Sequence, residues 1–133
     1  MIGHLRFTLL IAVALLSACA TSSPESPCHA GEQQAVVDSL YFGSGDVKPE
    51  QWQDFLATVI TPRFPAGLTS WAAAGQWRND AGVIEKESSY ILQLVHADSP
   101  QAETGVQEVL SMYKSRFHQR AVLRTRTRTC MSF

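Results

Sequence analysis

The sequence predicts an α+β domain of the ferredoxin-like type, a two-layer sandwich with a four-stranded antiparallel sheet and two helices on one face. Strand-like and helix-like segments follow one another in the order βαββαβ over residues 34–133. In the usual strand order of this fold, the first and last strands are antiparallel neighbours. Cys28 precedes the first strand, and Cys130 lies near the end of the last one. The order of segments and the cysteine pair therefore support the same topology.

The first helix is predicted to begin at Pro49, because proline is well placed in the first helical turn. Apolar residues then recur at the spacing i, i+3, i+4, i+7 and i+8, which forms one stripe. Pro62 ends the helix, since it cannot donate a backbone hydrogen bond. The stripe consists of Trp52, Phe55, Leu56, Val59 and Ile60.

The second helix is predicted to start at Pro100, with Asp98 or Ser99 as its cap. Gly105 within it weakens the helix by up to about 1 kcal/mol relative to alanine. Its predicted buried stripe consists of Val106, Val109, Leu110, Tyr113 and Phe117.

Four segments have the composition of strands: residues 34–43, 68–78, 83–96 with its main body at 88–96, and 121–133. A polar turn over residues 79–82, ending in glycine, joins the second strand to the third. The third strand is apolar on both faces, so we expect it to be central in the sheet.

The fourth strand alternates strictly, with Arg124, Arg126 and Arg128 on one face. Three interpretations are open. The guanidinium groups bind a polyanion, they bind anionic headgroups beside a membrane, or they pair with acidic residues such as Asp38 while protecting an edge strand. The pairing interpretation needs no external ligand, and we favour it.

The N-terminal segment reads as an export leader. A short basic region precedes an apolar run too short to cross a bilayer as a mature helix. The following Leu16-Ser17-Ala18-Cys19 resembles a bacterial lipobox. Residues 1–18 are therefore predicted to be a lipoprotein signal peptide, and residues 19–33 a lipidated Cys19 followed by a flexible tether. We expect an exported protein whose fatty acids, such as palmitate, hold it at the bacterial membrane; in a cell with two membranes, this is the periplasmic face of the outer membrane.

With Cys19 assigned to lipid, Cys28 and Cys130 remain. An even pair in an exported protein suggests a disulfide, although two unpaired thiols are the alternative. The closed loop of about a hundred residues would contribute roughly 4–5 kcal/mol to stability in the chain-entropy model.

The composition excludes several function classes. The formal net charge of −1 gives no general case for nucleic-acid binding. No phosphate-binding loop, nucleophile elbow or dinucleotide fingerprint occurs, so no cofactor is expected. His29, His96 and His118 are too far apart for a helical metal pair, and no metal site is predicted.

The chain carries several distinctive motifs: Leu40-Tyr41-Phe42-Gly43, Trp52 and Phe55, Thr61-Pro62-Arg63-Phe64-Pro65, Gly67-Leu68-Thr69, Gly75-Gln76-Trp77-Arg78 and Val122-Leu123-Arg124. These motifs resemble one bacterial family of small lipoproteins, known as domain of unknown function 3574. The resemblance covers about residues 36–133 and implies an exported, often lipid-anchored domain without an established activity.

The best candidate ligand site lies around the central stretch, residues 61–78, which holds two of the three tryptophans. Planar amide, indole and guanidinium groups there suit a small anionic or aromatic ligand. The candidate ligand-binding residues are Tyr41, Arg63, Gln76, Trp77, Arg78 and Glu87.

Two functions remain in view. The first is a non-enzymatic binding or interaction module of the cell envelope, with the sheet face as a surface for a ligand, a partner or a homodimer. The second is a small cofactor-independent enzyme of the dimeric α+β-barrel type, with Tyr41, Trp77 and a base such as His96 or Glu87 around an enclosed pocket. No catalytic residue is assigned, and the sequence favours the first function.

Overall fold

The order of strands and helices follows the predicted order. The computed structural model describes residues 28–133. The elements are β1 (Gln33–Gly43), α1 (Pro49–Phe55), β2 (Thr69–Arg78), β3 (Ile84–His96), α2 (Pro100–Arg116) and β4 (Leu123–Met131). Each predicted boundary lies within a few residues of the observed one.

The four strands form one antiparallel sheet in the order β2-β3-β1-β4. The first and last strands are neighbours, β3 and β1 are central, and β2 and β4 are the edges. Side chains of both helices pack with those of β1 and β3 in one hydrophobic core, on one side of the sheet. The predicted ferredoxin-like arrangement is therefore confirmed.

Helix α1 is shorter than its apolar stripe suggests. It begins at Pro49, and the side-chain oxygen of Gln51 accepts a hydrogen bond from the Lys48 backbone at 2.9 Å. After Phe55 the chain continues as a π-helical segment, Leu56–Ile60, in which the carbonyl of Leu56 accepts from the Thr61 N–H. This π-helical segment still buries Val59 and Ile60, as the apolar stripe of the sequence predicts.

Helix α2 starts as the sequence predicts. Ser99 is its cap, and its hydroxyl accepts a hydrogen bond from the Ala102 N–H at 3.2 Å. Val106, Val109 and Tyr113 are fully buried on its inner face.

The core is rich in aromatic residues whose polar atoms are satisfied. Trp52 stacks on Tyr90 with ring centroids 4.6 Å apart, and its indole N–H donates to Ser70 at 3.1 Å. The Tyr113 hydroxyl donates to the carbonyl of Gly43 at 2.9 Å. Burial raises the pKa of Tyr113, with a smaller contribution from nearby Tyr90 and Glu87, so this hydroxyl remains a donor.

A disulfide joins Cys28 to Cys130, with their Cα atoms 5.5 Å apart. The pairing of β1 with β4 sets Gln34 opposite Cys130, which brings the chain before β1 to the end of β4. The predicted disulfide is confirmed.

The predicted signal peptide, the lipidated Cys19 and most of the tether lie outside the described residues. Within residues 28–133, neither helix combines the length and the apolar character that crossing a membrane requires.

Candidate functional site

The sheet has one face covered by the helices and one open face. Along β1, Val36, Leu40 and Phe42 are completely buried beneath the helices. Tyr41 lies between two of them and is 37% exposed, because alternate residues of a strand point to opposite faces. Residues in register with Tyr41 on the other strands share the open face with it.

The three arginines of β4 lie on the helix-covered face. The register pairs Arg124 with Leu40, Arg126 with Asp38 and Arg128 with Val36, all on the covered side of β1. The arginines therefore point towards α2 rather than towards an external polyanion. The pairing interpretation is confirmed, with Asp38, Asp98 and Glu103 as the acidic partners.

Asp38 is the centre of this group, and it is completely buried. Arg124 binds it with two hydrogen bonds, from Nε to Oδ1 at 2.7 Å and from Nη2 to Oδ2 at 2.8 Å. His96 adds a contact from Nε2 to Oδ2 at 2.9 Å. Burial alone would raise the pKa of Asp38, but the hydrogen bonds from Arg124 and His96 outweigh it, so the pKa lies below its ordinary value.

Glu103 of α2 holds the other side of the Arg124 guanidinium. Its two oxygens accept from Nη1 and Nη2 of Arg124, each at 2.7 Å. The hydrogen bond from Arg124, followed by one from Gln107, lowers the pKa of Glu103 to about 2. The same pairing with Glu103 and Asp38 raises the pKa of Arg124.

Both ring nitrogens of His96 face oxygen acceptors. Nε2 contacts Asp38, and Nδ1 lies 2.8 Å from the carbonyl oxygen of Ala97. A carbonyl oxygen only accepts, so both contacts are hydrogen bonds when each nitrogen carries a proton. Both nitrogens therefore already have oxygen neighbours within the protein. We name Asp38, His96, Glu103 and Arg124 the Asp38 cluster.

The open face carries a row of apolar side chains across all four strands. Trp71 pairs with Ile91, Ile91 with Tyr41, and Tyr41 with Leu123. Trp71 is 43% exposed and Leu123 is 62% exposed. The next row, Thr69, Gln93, Ser39 and Thr125, is polar but uncharged.

The open face is nearly free of charge. Among the paired residues of the described strands, only Glu85 and Glu87 of β3 bring charged side chains to this face, and both lie near its hairpin end. The β4 residues on this face are Leu123, three threonines and Met131. Away from its hairpin end, the surface is therefore open and uncharged.

The six predicted ligand-binding residues are not brought into one cluster. Tyr41 and Trp77 share the open face, but Trp77 lies six residues beyond Trp71 along β2, a separation of about 20 Å. Glu87 is on the same face, with its carboxylate close over Gly43. The ligand-binding role of the six residues stays a prediction.

The remaining three point elsewhere. Gln76 and Arg78 face the other side of β2, because they alternate with Trp77, and Arg78 donates to the carbonyl of Gly82 at 2.9 Å. Arg63 lies in the helical layer, where its Nε donates to Glu108 at 2.8 Å. Neither arginine pairs with Glu85 or Glu87; Glu85 accepts from Asn79 instead.

Sequence reasoning missed Trp71 and Leu123 as members of the open-face row. The signal was present as strand alternation, but only the pairing register shows that these residues align with Tyr41. The sequence indicated Asp38 only as an ion-pair partner. Its complete burial depends on the elements packed around β1, which the sequence of one strand does not reveal.

One group of metal-ligand side chains occurs among the described residues: Cys28, Glu32 and Cys130, whose ligand atoms lie within 4.8 Å of one another. The two sulfurs are joined in the disulfide and offer no thiolate. The group therefore supplies no metal site in this state.

Comparison with known proteins gives a family and a fold. The model of a family described as "Protein of unknown function (DUF3574)" matches residues 37–133. A phage SAM lyase, solved in complex with S-methyl-5'-thioadenosine, has a similar structure, with a TM-score of 0.57 and 14% sequence identity. The match covers 84% of this chain and 97% of the lyase, and at this identity it shows the fold alone. Comparison with curated proteins found no significant match.

Proposed function

The chain belongs to the DUF3574 family of proteins of unknown function, and we propose that it is a non-enzymatic interaction module of the cell envelope. In this proposal the open face is its working surface, and a second copy of the chain occupies it. Lipid on Cys19 holds the module at the membrane.

The observation that carries the proposal is the exposed apolar row, on a face whose only charges among the described strands lie near its hairpin end. Trp71, Tyr41 and Leu123 are each more than a third exposed and adjoin one another through Ile91. Contiguous exposed apolar surface on a soluble domain is typical of an interaction site. Aromatic residues with few charges are also what the centres of protein interfaces contain.

A second copy fits this surface because the face can be complementary to itself. Two sheets pack face to face about 10 Å apart, and a two-fold contact uses the same patch on both copies. A two-fold axis along the strands, between β1 and β3, would set Trp71 opposite the second copy's Leu123 and Ile91 opposite its Tyr41. Since this row carries no charge, the pairing opposes no like charges.

The enzyme alternative has less support. A sheet-to-sheet dimer would enclose Tyr41 and Trp71 between two sheets, which is the kind of pocket that the alternative requires. However, His96 lies on the helix-covered face, where its two ring nitrogens already contact oxygen atoms of Asp38 and Ala97. The ligand named for the phage lyase belongs to that protein, and a shared fold does not transfer chemistry.

Light scattering coupled to size-exclusion chromatography tests the homodimer. The chain from Ala20 retains every contact described here, because these contacts lie within residues 28–133. We expect this chain to elute with the mass of a dimer, and Tyr41→Arg and Leu123→Arg to elute as folded monomers. Each arginine would bury a charge without a partner in the interface.

Met112→Arg is the matched control, because Met112 is 40% exposed on the outer surface of α2. This variant should remain dimeric. Circular dichroism of each variant shows whether its fold is retained. A wild-type chain that is monomeric at all concentrations measured would exclude the homodimer, and so would an unchanged dimer in both arginine variants.

The envelope location rests on the lipobox-like Leu16-Ser17-Ala18-Cys19, and the disulfide is consistent with an oxidising compartment. We expect cells expressing the full chain to incorporate labelled palmitate into the protein, and to lose this label in Cys19→Ser. Cys28→Ser, another cysteine of the same region, should keep the label. Equal labelling of Cys19→Ser and the wild-type chain would refute lipidation at Cys19.

A further inference from the structure

A cavity of about 680 Å³ opens at the end of the sheet where β3 ends and α2 begins. The segment between α1 and β2 forms one side, and the residues after Cys130 form the other. Its volume lies within the range of small-molecule sites. Neither Tyr41, Trp77 nor the apolar row lines it, but Thr69, Gln93, Val95 and Met131 of the open face do, so the cavity borders the surface proposed for the homodimer.

The inner walls of the cavity are mainly apolar. Phe64 is almost fully buried and packs against the His96 ring, with centroids 5.6 Å apart. Leu68, Val95 and Met131 continue the apolar lining. A ligand would therefore place an apolar body against these side chains, because burial of apolar surface is the main favourable term there.

The polar groups of the cavity favour an acidic head group. No aspartate or glutamate side chain lines it, whereas Arg63 and His96 do. Arg63 uses Nε for Glu108 and Nη1 for the carbonyl of Val59, which fixes the guanidinium at the wall and leaves other N–H groups for a ligand.

Gln101 strengthens this assignment. It lines the cavity together with Arg63, and the same two residues, with Glu108 on the outer side, line a smaller adjoining depression, so they lie at one rim. Within the described part of the chain, the Gln101 side-chain amide has no hydrogen-bond partner. An amide donor beside a fixed guanidinium suits a carboxylate or a phosphate oxygen.

We propose that this cavity binds an amphiphile with an apolar body and a single acidic head group. The head group contacts Arg63 and Gln101 at the rim, and the body lies against Leu68, Val95 and Met131. The site does not require the homodimer, and it differs from the ligand site predicted around Gln76 and Arg78.

Calorimetric titration of the chain from Ala20 tests the site. The probes are decanoate, decanol and decyltrimethylammonium, which share one chain and differ in head-group charge, each below its micelle-forming concentration. We expect saturable binding of decanoate with one site per chain, and at least about tenfold weaker binding of the other two. A tenfold difference corresponds to about 1.4 kcal/mol, which a charged head group near a fixed guanidinium can supply.

Two variants that each replace a glutamine by a glutamate show where the head group binds. Gln101→Glu adds a negative charge at the rim, in the first turn of α2, where an acidic residue does not destabilise the helix. It should weaken decanoate binding at least about tenfold and leave decanol unchanged. Gln53→Glu adds the same charge on the exposed surface of α1, away from the cavity. It should leave the affinities for decanoate and for decanol unchanged.

A further probe separates two sources of such a ligand. Tighter binding of dihexanoyl phosphatidic acid than of decanoate would assign the site to a membrane phospholipid, and the reverse order to a free acid. Either result supports the proposal. Absence of binding by all probes would overturn it. Equal binding of the three ten-carbon probes, or decanoate binding that Gln101→Glu does not weaken, would also overturn it.

Discussion

At the scale of single residues, Asp38 shows how a charge is kept inside the sheet. Its carboxylate is withdrawn from water, which costs several kcal/mol unless charged partners compensate it. Arg124 and His96 supply three hydrogen bonds, and Glu103 engages the same guanidinium. Through these hydrogen bonds between charged side chains, the Asp38 cluster links β1, β3, β4 and α2 to one another.

Removing Asp38 should be strongly destabilising, because the largely buried Arg124 would lose two hydrogen bonds to a carboxylate and His96 would lose its contact with the same carboxylate. We expect Asp38→Ala to lower the free energy of unfolding in urea by about 3–5 kcal/mol at neutral pH.

Arg128→Ala is the comparison, since Arg128 is 85% exposed and its contact with Asp98 is a surface pair. It should cost less than about 1 kcal/mol. Similar losses in the two variants would mean that the Asp38 cluster does not stabilise the fold as described.

At the scale of elements, Gly105 shows why α2 tolerates a poor helix former. A Cβ at this position would lie 3.3 Å from the Phe64 ring, closer than most such contacts. Phe64 is almost fully buried and packs against the His96 ring, which limits the movement of its own ring. The glycine therefore allows α2 to approach the segment that follows α1, and this packing offsets the lower helix propensity.

A larger side chain at Gly105 should push α2 away from Phe64. We expect Gly105→Val to lower the free energy of unfolding by about 1–3 kcal/mol, the usual cost of overpacking. Thr104→Val changes the neighbouring exposed position to the same residue and should stay within about 0.5 kcal/mol of the wild type. Urea denaturation of both variants measures the difference, and a stability gain in Gly105→Val would contradict the packing account.

At the scale of the whole molecule, the disulfide closes almost the entire described chain. Cys28 and Cys130 are 102 residues apart in sequence, so the bond removes much of the freedom of the unfolded chain. It also ties the entry to β1 to the end of β4, which is an edge strand of the sheet.

Opening this loop should destabilise the whole fold rather than one strand. The chain-entropy model gives about 4.7 kcal/mol for a loop of this length. We expect Cys28→Ser with Cys130→Ser to lose roughly 2–5 kcal/mol in urea denaturation. Dithiothreitol should lower the stability of the wild-type chain to a similar value and leave the double variant unchanged. An unaffected wild-type chain would show that the bond contributes little.

The sequence by itself determined the order of the elements, the start of each helix and the cysteine pair that favours a disulfide, because these depend on local spacing and on two cysteines at matching strand ends. Only the tertiary structure decided which face of each strand contacts the helices and which face stays open. Alternation divides β4 into arginines and threonines, but the strand register and the side taken by the helices decide that the arginines meet Asp38 and Glu103. The strand register likewise decides that Trp71, rather than Trp77, aligns with Tyr41. Local sequence specifies which residues share a strand face, whereas long-range pairing specifies what that face contacts.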